Sequence, residues 1–79
     1  MIIMQVVNKT KQNMLTLVFN TTKRTVIVSG EYGQNYSWEK VPTVKIFDGY
    51  YEVIQKDELD KSLPIARFPI SNTIMLIEK

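Results

Sequence analysis

The sequence predicts a small all-β protein, built from five or six short strands in a barrel or curled sheet with at most one short helix. Three observations support this. Apolar and β-branched residues form short runs, turn-forming residues separate these runs, and Asp48-Gly49 lies between two β-prone runs. With 79 residues, the chain is expected to form a single β-domain over residues 1–79.

The first thirty residues predict three strands. Residues 1–7 are apolar on both alternating sets of positions, which predicts a strand buried on more than one side. Residues 8–13 contain no apolar side chain and are expected to form a loop. Residues 14–19 and 25–29 then form strands, and the polar residues 20–24 form the turn of their hairpin.

Residues 30–40 differ in composition from the sequence around them. Two glycines and several polar residues indicate an exposed connection, yet it carries three large aromatic rings. Such rings bury a large area at low entropic cost, which favours a recognition surface. The predicted partner- or ligand-binding residues are Tyr32, Gln34, Asn35, Tyr36, Trp38 and Lys40. The alternative is that Tyr36 and Trp38 share one side of a strand and cover an open end of the core.

Residues 43–55 predict the central hairpin. A two-residue Asp48-Gly49 loop of type I′ requires a positive φ at both positions, and it fixes the strand register. The predicted pairs are Phe47 with Tyr50, Ile46 with Tyr51, Lys45 with Glu52, and Val44 with Val53.

The two faces of this hairpin differ. One face carries Val44, Ile46, Tyr51 and Val53 and is the predicted core face. The other face mixes a Lys45 and Glu52 pair with three apolar residues. These three, Phe47, Tyr50 and Ile54, are the predicted oligomer interface, because a chain of this size cannot cover every apolar face that its strands present.

The remaining residues predict one helix and two strands. Residues 56–63 resemble a short helix, with Asp57 as its cap and with Leu59 and Leu63 on one face. Residues 65–68 form a short strand, residues 69–72 a tight corner and residues 73–78 a closing strand. This segment order is similar to that of SH3-like and Sm-like barrels, although the glycine-bearing Sm signatures are absent and no family is implied.

Composition argues against several classes of function. The chain has no cysteine and no histidine, so thiolate metal sites and histidine-based catalysis are excluded. The acidic run at residues 57–60 lacks the glycine and the terminal glutamate of a calcium loop. No glycine-rich loop precedes a helix. We therefore expect a protein that is not an enzyme and that holds no metal and no cofactor.

Charge and hydropathy give further expectations. The formal charge is +2, and residues 1–45 hold six of the ten cationic side chains but only two of the eight carboxylates. No apolar run is long enough to span a membrane, and residues 1–7 do not resemble a signal peptide. The sequence predicts a cytoplasmic protein without a membrane partner. Ala66 is its one alanine, which indicates an AT-rich genome such as that of a low-GC bacterium or its phage.

Two functional hypotheses remain open. The first is a small non-enzymatic binding or inhibitor protein, a homo-oligomer that contacts a protein partner through the aromatic segment and the second face of the hairpin. The second is a small barrel that binds single-stranded nucleic acid or a nucleotide. In that case Tyr32, Tyr36 and Trp38 stack on bases, while cationic side chains hold phosphates; these are Lys23, Arg24, Lys40 and Lys45.

Overall fold

Residues 14–79 form two β-sheets in the computed structural model, which describes this part of the chain. The predictions of a strand at residues 1–7 and a loop at residues 8–13 lie outside the described residues. The seven strands are β1 (Leu15–Asn20), β2 (Thr25–Gly30), β3 (Asn35–Trp38), β4 (Thr43–Phe47), β5 (Tyr50–Lys56), β6 (Ser62–Pro69) and β7 (Thr73–Glu78). A single 3₁₀ turn, Ile70–Asn72, connects β6 to β7. The all-β prediction is confirmed.

The first sheet has the strand order β3-β2-β1-β7. The β1–β2 hairpin is antiparallel, and Leu17 lies opposite Val28. β7 comes from the far end of the described chain and pairs with β1 in parallel, placing Leu17 opposite Met75. Because side chains alternate along a strand, Leu17 and Phe19 face inwards while Val18 faces outwards.

The second sheet has the strand order β4-β5-β6. All four predicted pairs of the β4–β5 hairpin are confirmed, from Phe47 with Tyr50 to Val44 with Val53. The β5–β6 ladder contains a bulge, because Val53 lies opposite Ala66 whereas Ile54 lies opposite Pro64. The extra residue, Ile65, bends β6 and packs against the core.

The turn between β4 and β5 is not of the predicted type. Only Gly49 has a positive φ, at 95°, and Asp48 does not have one. This φ pattern matches a type II turn, in which only the second central residue must adopt the left-handed region. A type I′ turn would place Asp48 there as well, which costs energy in a residue that has a Cβ atom.

The core lies between the two sheets. Its buried residues are Leu17, Phe19, Val26, Val28, Val41 and Val53. The first four come from the β1–β2 hairpin, and Val53 comes from the central strand of the second sheet. Of the four residues on the predicted core face of the central hairpin, Val53 is buried and Val44 packs on the core, but Ile46 is 64% exposed. The predicted core face is therefore correct for Val44 and Val53, which lie away from the turn, and wrong for Ile46, which lies near it.

The chain passes from the first sheet to the second at residues 39–42. The Val41 N–H donates to the Arg24 carbonyl over 2.8 Å, and the Lys40 carbonyl accepts from the Lys56 N–H over 2.9 Å. The first bond reaches the β1–β2 turn, and the second reaches the end of β5. Lys40 has a φ of 58°, which turns the backbone between them.

The predicted helix at residues 56–63 is wrong. β5 extends to Lys56, β6 begins at Ser62, and a tight turn joins them. The Asp57 Oδ1 accepts hydrogen bonds from the N–H groups of Leu59 and Lys61, each at 2.8 Å. Asp57 therefore stabilises a turn rather than capping a helix. Leu59 is exposed at the tip, so no apolar face favours a helix.

Within residues 14–79 the two sheets do not close into a barrel, and an SH3-like or Sm-like order is not confirmed. β3 and β7 remain edges of the first sheet, and β4 and β6 remain edges of the second, among the strands described. Residues 35–38, predicted to belong to an exposed connection, form the edge strand β3. Within residues 14–79, no helix is long and apolar enough to cross a membrane.

Replacing Gly49 by valine tests the β4–β5 turn. A β-branched residue at a φ of 95° is strained, so we expect Gly49→Val to lower the free energy of unfolding by about 1–3 kcal/mol. No atom lies within 4 Å of the added Cβ, so the loss comes from the backbone and not from a steric clash. Chemical denaturation provides the measurement.

The matched control is Asp48→Val, the same side chain at the neighbouring exposed position without a positive φ. This variant should retain nearly the stability of the parent chain. Equal losses for the two variants would show that the conformation of Gly49 does not stabilise the hairpin.

Candidate functional site

An aromatic cleft opens between an edge strand of each sheet. β3 supplies one wall and β6 the other, and the cleft has a volume of about 390 Å³. Its lining residues are Leu15, Gln34, Tyr36, Trp38, Ala66, Arg67 and Phe68. Three of the seven are aromatic, and Arg67 is the one residue among them with a formal charge at neutral pH. Clefts of this size and composition are typical of binding sites.

The alternation of β3 places its two rings in the cleft. Tyr36 lies opposite Val28 and Trp38 opposite Val26, so both rings share the core side of the first sheet. The two rings stack with centroids 6.3 Å apart and planes 16° apart. Trp38 also contacts Phe68 of the second sheet at 6.0 Å, in a tilted arrangement. The rings therefore join the two sheets at the base of the cleft, and Tyr36 remains 52% exposed at its mouth.

The backbone of β3 is paired on one side only among the strands described. The Gly30 N–H donates to the Gln34 carbonyl at 2.8 Å, at the start of the β2–β3 ladder. Because antiparallel hydrogen-bonded pairs recur at every second residue, Tyr36 and Trp38 direct their backbone groups towards β2. Asn35 and Ser37 then direct theirs away from the sheet. This edge carries no neighbouring strand within residues 14–79.

Gln34 forms the rim of the cleft through a compact β2–β3 turn. Its Oε1 accepts a hydrogen bond from the Tyr32 N–H over 3.2 Å. The same side chain lies across Gly30, where an added Cβ would come within 2.5 Å of the Gln34 Cδ. Gly33 completes the turn with a φ of 86°. Both glycines are therefore needed for the position of Gln34.

Arg67 connects the cleft to the aromatic pair of the central hairpin. Its Nε donates to the Glu52 Oε2 at 2.8 Å, and its guanidinium carbon lies 5.2 Å from the Tyr50 ring centroid. Tyr50 in turn stacks on Phe47, with centroids 5.0 Å apart. The hydrogen bond to Glu52 and the charge interactions with Tyr50 and Glu52 raise the pKa of Arg67 above its ordinary value. Its positive charge is therefore constant at physiological pH.

A second cleft, of about 410 Å³, lies beside the crossing between the sheets. Its charged lining residues are Lys23, Arg24, Lys40, Lys56, Glu39, Asp57, Glu58 and Asp60. Four cations and four carboxylates offset each other, so this cleft does not carry the single-sign potential that attracts a polyanion. Within the described residues, no group of three or more acidic side chains is arranged to hold a metal ion.

The structure separates the predicted binding residues into distinct places. Gln34, Tyr36 and Trp38 line the aromatic cleft. Tyr32 is 71% exposed in the turn and does not line it, and Lys40 lies in the charged cleft. Asn35 lies opposite Ser29, on the other side of the first sheet from the rings.

The predicted oligomer interface is also divided. Phe47 and Tyr50 stack on the outer side of the central hairpin, and Phe47 is exposed. Ile54 lies opposite the bulge in β6 and is only 5% exposed. Its side chain is therefore part of the folded chain and presents almost no surface to a partner.

Sequence reasoning missed four residues of the cleft: Leu15, Ala66, Arg67 and Phe68. They lie on β1 and β6, remote in sequence from the aromatic segment. The alternation of β6 indicates that Phe68 and Arg67 point to opposite faces, but no sequence signal shows that β6 lies against β3. That proximity depends on how the two sheets pack.

Comparisons with models of protein families, with curated proteins and with solved structures give no match for this chain.

The ion pair beside the cleft provides a test of the local electrostatics. Glu52 is buried whereas Arg67 is mostly exposed, so Arg67→Gln should leave a buried carboxylate without its cation and lower the melting temperature at pH 7. Thermal melting of the parent chain and of the variant at pH 7 measures this loss.

The control is the double variant Glu52→Gln/Arg67→Gln, which has no carboxylate to bury. Its melting temperature should exceed that of Arg67→Gln at pH 7. A single variant that melts like the parent chain at pH 7 would contradict the role of this pair.

Proposed function

We propose that this chain is a small non-enzymatic protein-binding module that holds an apolar side chain of its partner in the aromatic cleft. The observation that carries the proposal is the arrangement of Tyr36, Trp38 and Phe68 around an open cavity of about 390 Å³. Aromatic side chains provide much of the binding energy at protein interfaces, because they bury large area and lose little conformational entropy.

The strand edges beside the cleft favour a partner in an extended conformation. β3 and β6 are both edge strands among those described, and both contribute to the cleft walls. Extended peptides commonly add to such an edge through backbone hydrogen bonds and insert alternate side chains into adjacent pockets. In this chain Asn35 and Ser37 offer the backbone groups, while Tyr36 and Trp38 offer the pocket.

The ionisable groups of the cleft support a binding role over a catalytic one. Glu52 holds the Arg67 guanidinium, and none of the described residues that line the aromatic cleft is a carboxylate. A general acid or base must lie within hydrogen-bonding reach of the reacting group. The carboxylates of the charged cleft lie with an equal number of cations and belong to a separate surface.

The nucleic-acid alternative has weaker support. Tyr36 and Trp38 do form a stacked pair, as base stacking requires, and Lys23, Arg24 and Lys40 do lie together. The cations, however, line a different cleft from the rings and are accompanied by four carboxylates. Binding to single strands needs a positively charged groove that runs along the stacking platform.

The test is a selection of random 12-residue peptides on the immobilised protein, followed by titration of selected synthetic peptides. Trp38 is the single tryptophan of the chain and lines the cleft, so its fluorescence reports on occupancy directly. We expect selected peptides to carry a large apolar residue and to shift the Trp38 emission. Tyr36→Ala should weaken their binding by about 2 kcal/mol, on the order of 30-fold.

The matched control is Tyr32→Ala, the same truncation at a tyrosine that is more exposed and does not line the cleft. It should bind the selected peptides like the parent chain. Thermal melts of both variants separate lost binding from lost folding. Peptides that bind Tyr36→Ala as tightly as the parent chain would contradict the proposed site.

A 12-nucleotide oligothymidylate tests the nucleic-acid alternative in the same assay. We expect no change in Trp38 fluorescence at either 50 mM or 200 mM salt. Tight binding that weakens steeply between these two salt concentrations would instead support a single-stranded nucleic-acid partner.

A further inference from the structure

The outer face of the first sheet carries an apolar stripe across three strands. Val18 lies opposite Ile27 on one side and Leu76 on the other, and Ile74 is two residues before Leu76 on the same face. Ile27, Ile74 and Leu76 are 47%, 49% and 50% exposed. This stripe is on the opposite side of the sheet from the aromatic cleft, so the proposed peptide site does not use it.

The same face is almost free of charge. Around the stripe, the outward residues of β1, β2 and β3 are small and polar, and they include Thr16, Ser29 and Ser37. Glu78, at the end of β7, is the one charged residue of β1, β2, β3 and β7 on this face. By contrast, Lys45, Glu52 and Arg67 form a charged row across the second sheet.

The near absence of charge on the outer face of the first sheet favours a second copy of the chain as its binding partner. When a surface stacks on an identical surface about a two-fold axis, its central charges approach like charges. A charged face is therefore repelled by its own copy, whereas an apolar and hydroxyl-bearing face is not. A different partner protein imposes no such requirement, because its surface can supply opposite charges.

The area of this face determines how strongly two copies are expected to associate. Three strands of six residues and one of four, spaced about 4.8 Å apart, give a flat footprint of roughly 350 Å². Two such footprints amount to about 700 Å², before the uneven surface of the side chains is added. Stable interfaces bury about 1,200–2,000 Å² in total, so the face is sufficient for reversible association but small for an obligate dimer.

We propose that two copies of this chain stack the outer faces of their first sheets, with the Val18, Ile27, Ile74 and Leu76 stripe at the centre. Face-to-face sheets pack about 10 Å apart with interdigitated side chains, as in a β-sandwich. The two aromatic clefts then lie on opposite sides of the dimer. Dissociation constants in the micromolar range are expected for an interface of this size.

Sedimentation velocity and light scattering between about 1 and 300 µM test the proposal. The mass should rise from 9.2 kDa towards twice that value with concentration. Leu76→Lys and Ile27→Lys should each raise the dissociation constant on the order of 100-fold, since each buries a pair of like charges in the dimer. Both positions are half exposed in one chain, so circular dichroism should show a retained β-fold.

Phe47→Lys is the matched control, because it introduces the same charge at an exposed apolar residue of the second sheet. It should leave the dissociation constant unchanged. A dimer that Phe47→Lys separates and Leu76→Lys does not would move the interface to the hairpin and overturn the proposal. A mass of 9.2 kDa at 300 µM would overturn it as well.

A cysteine cross-link provides a second measurement that does not depend on a damaging substitution. The chain has no cysteine, so Ser29→Cys on the outer face introduces a single thiol. Mild oxidation should give a disulfide-linked dimer from Ser29→Cys. Leu59→Cys, at an exposed turn of the second sheet, should give far less. Equal yields from the two variants would indicate random collision and contradict the stacked dimer.

Discussion

The structure depends on the crossing at residues 39–42, where two backbone hydrogen bonds hold the two sheets together. Val41 donates to the β1–β2 turn, the Lys40 carbonyl accepts from the end of β5, and the Gln55 Nε2 adds a bond to the Glu39 carbonyl at 2.9 Å. Lys40 adopts a left-handed conformation between these bonds, at a cost of about 1–2 kcal/mol. Complete burial of Val41 offsets that cost. Because the chain leaves the first sheet immediately after Trp38, β3 remains an edge strand and the aromatic cleft stays open.

Local signals predicted the elements that local interactions determine. The β4–β5 register follows from the two-residue loop, and the closing strand has the predicted bounds of residues 73–78. Two predictions, the helix at residues 56–63 and the type I′ turn at Asp48-Gly49, were wrong because two local signals compete there. At residues 57–61 the acidic residues suit a helix start, but the Asp57 carboxylate binds backbone N–H groups within a turn. At Asp48 the sequence suits either a type I′ or a type II turn, and the φ angles resolve the choice.

The candidate site depends on a contact between the two sheets that the sequence pattern does not predict. Alternation places Tyr36 and Trp38 on one side of β3, where Trp38 packs on the core while Tyr36 remains at the surface. The opposite wall is supplied by Phe68, thirty residues further along the chain than Trp38. Only the packing of one sheet on the other brings them together. The burial of Ile54 could not be predicted for the same reason. It depends on a β-bulge in the neighbouring strand, which the sequence pattern of the hairpin does not indicate.

The parallel pairing of β1 with β7 determines the order in which the fold can assemble. Partners such as Leu15 and Thr73 are 58 positions apart in sequence, whereas every other ladder within residues 14–79 joins consecutive strands. During synthesis, the hairpins can form soon after they leave the ribosome, but the β1–β7 ladder cannot form until residues 73–78 follow. Closing that distance carries the largest loop entropy in the fold. Among the strands described, the β1–β7 ladder is therefore the last one that synthesis allows to form.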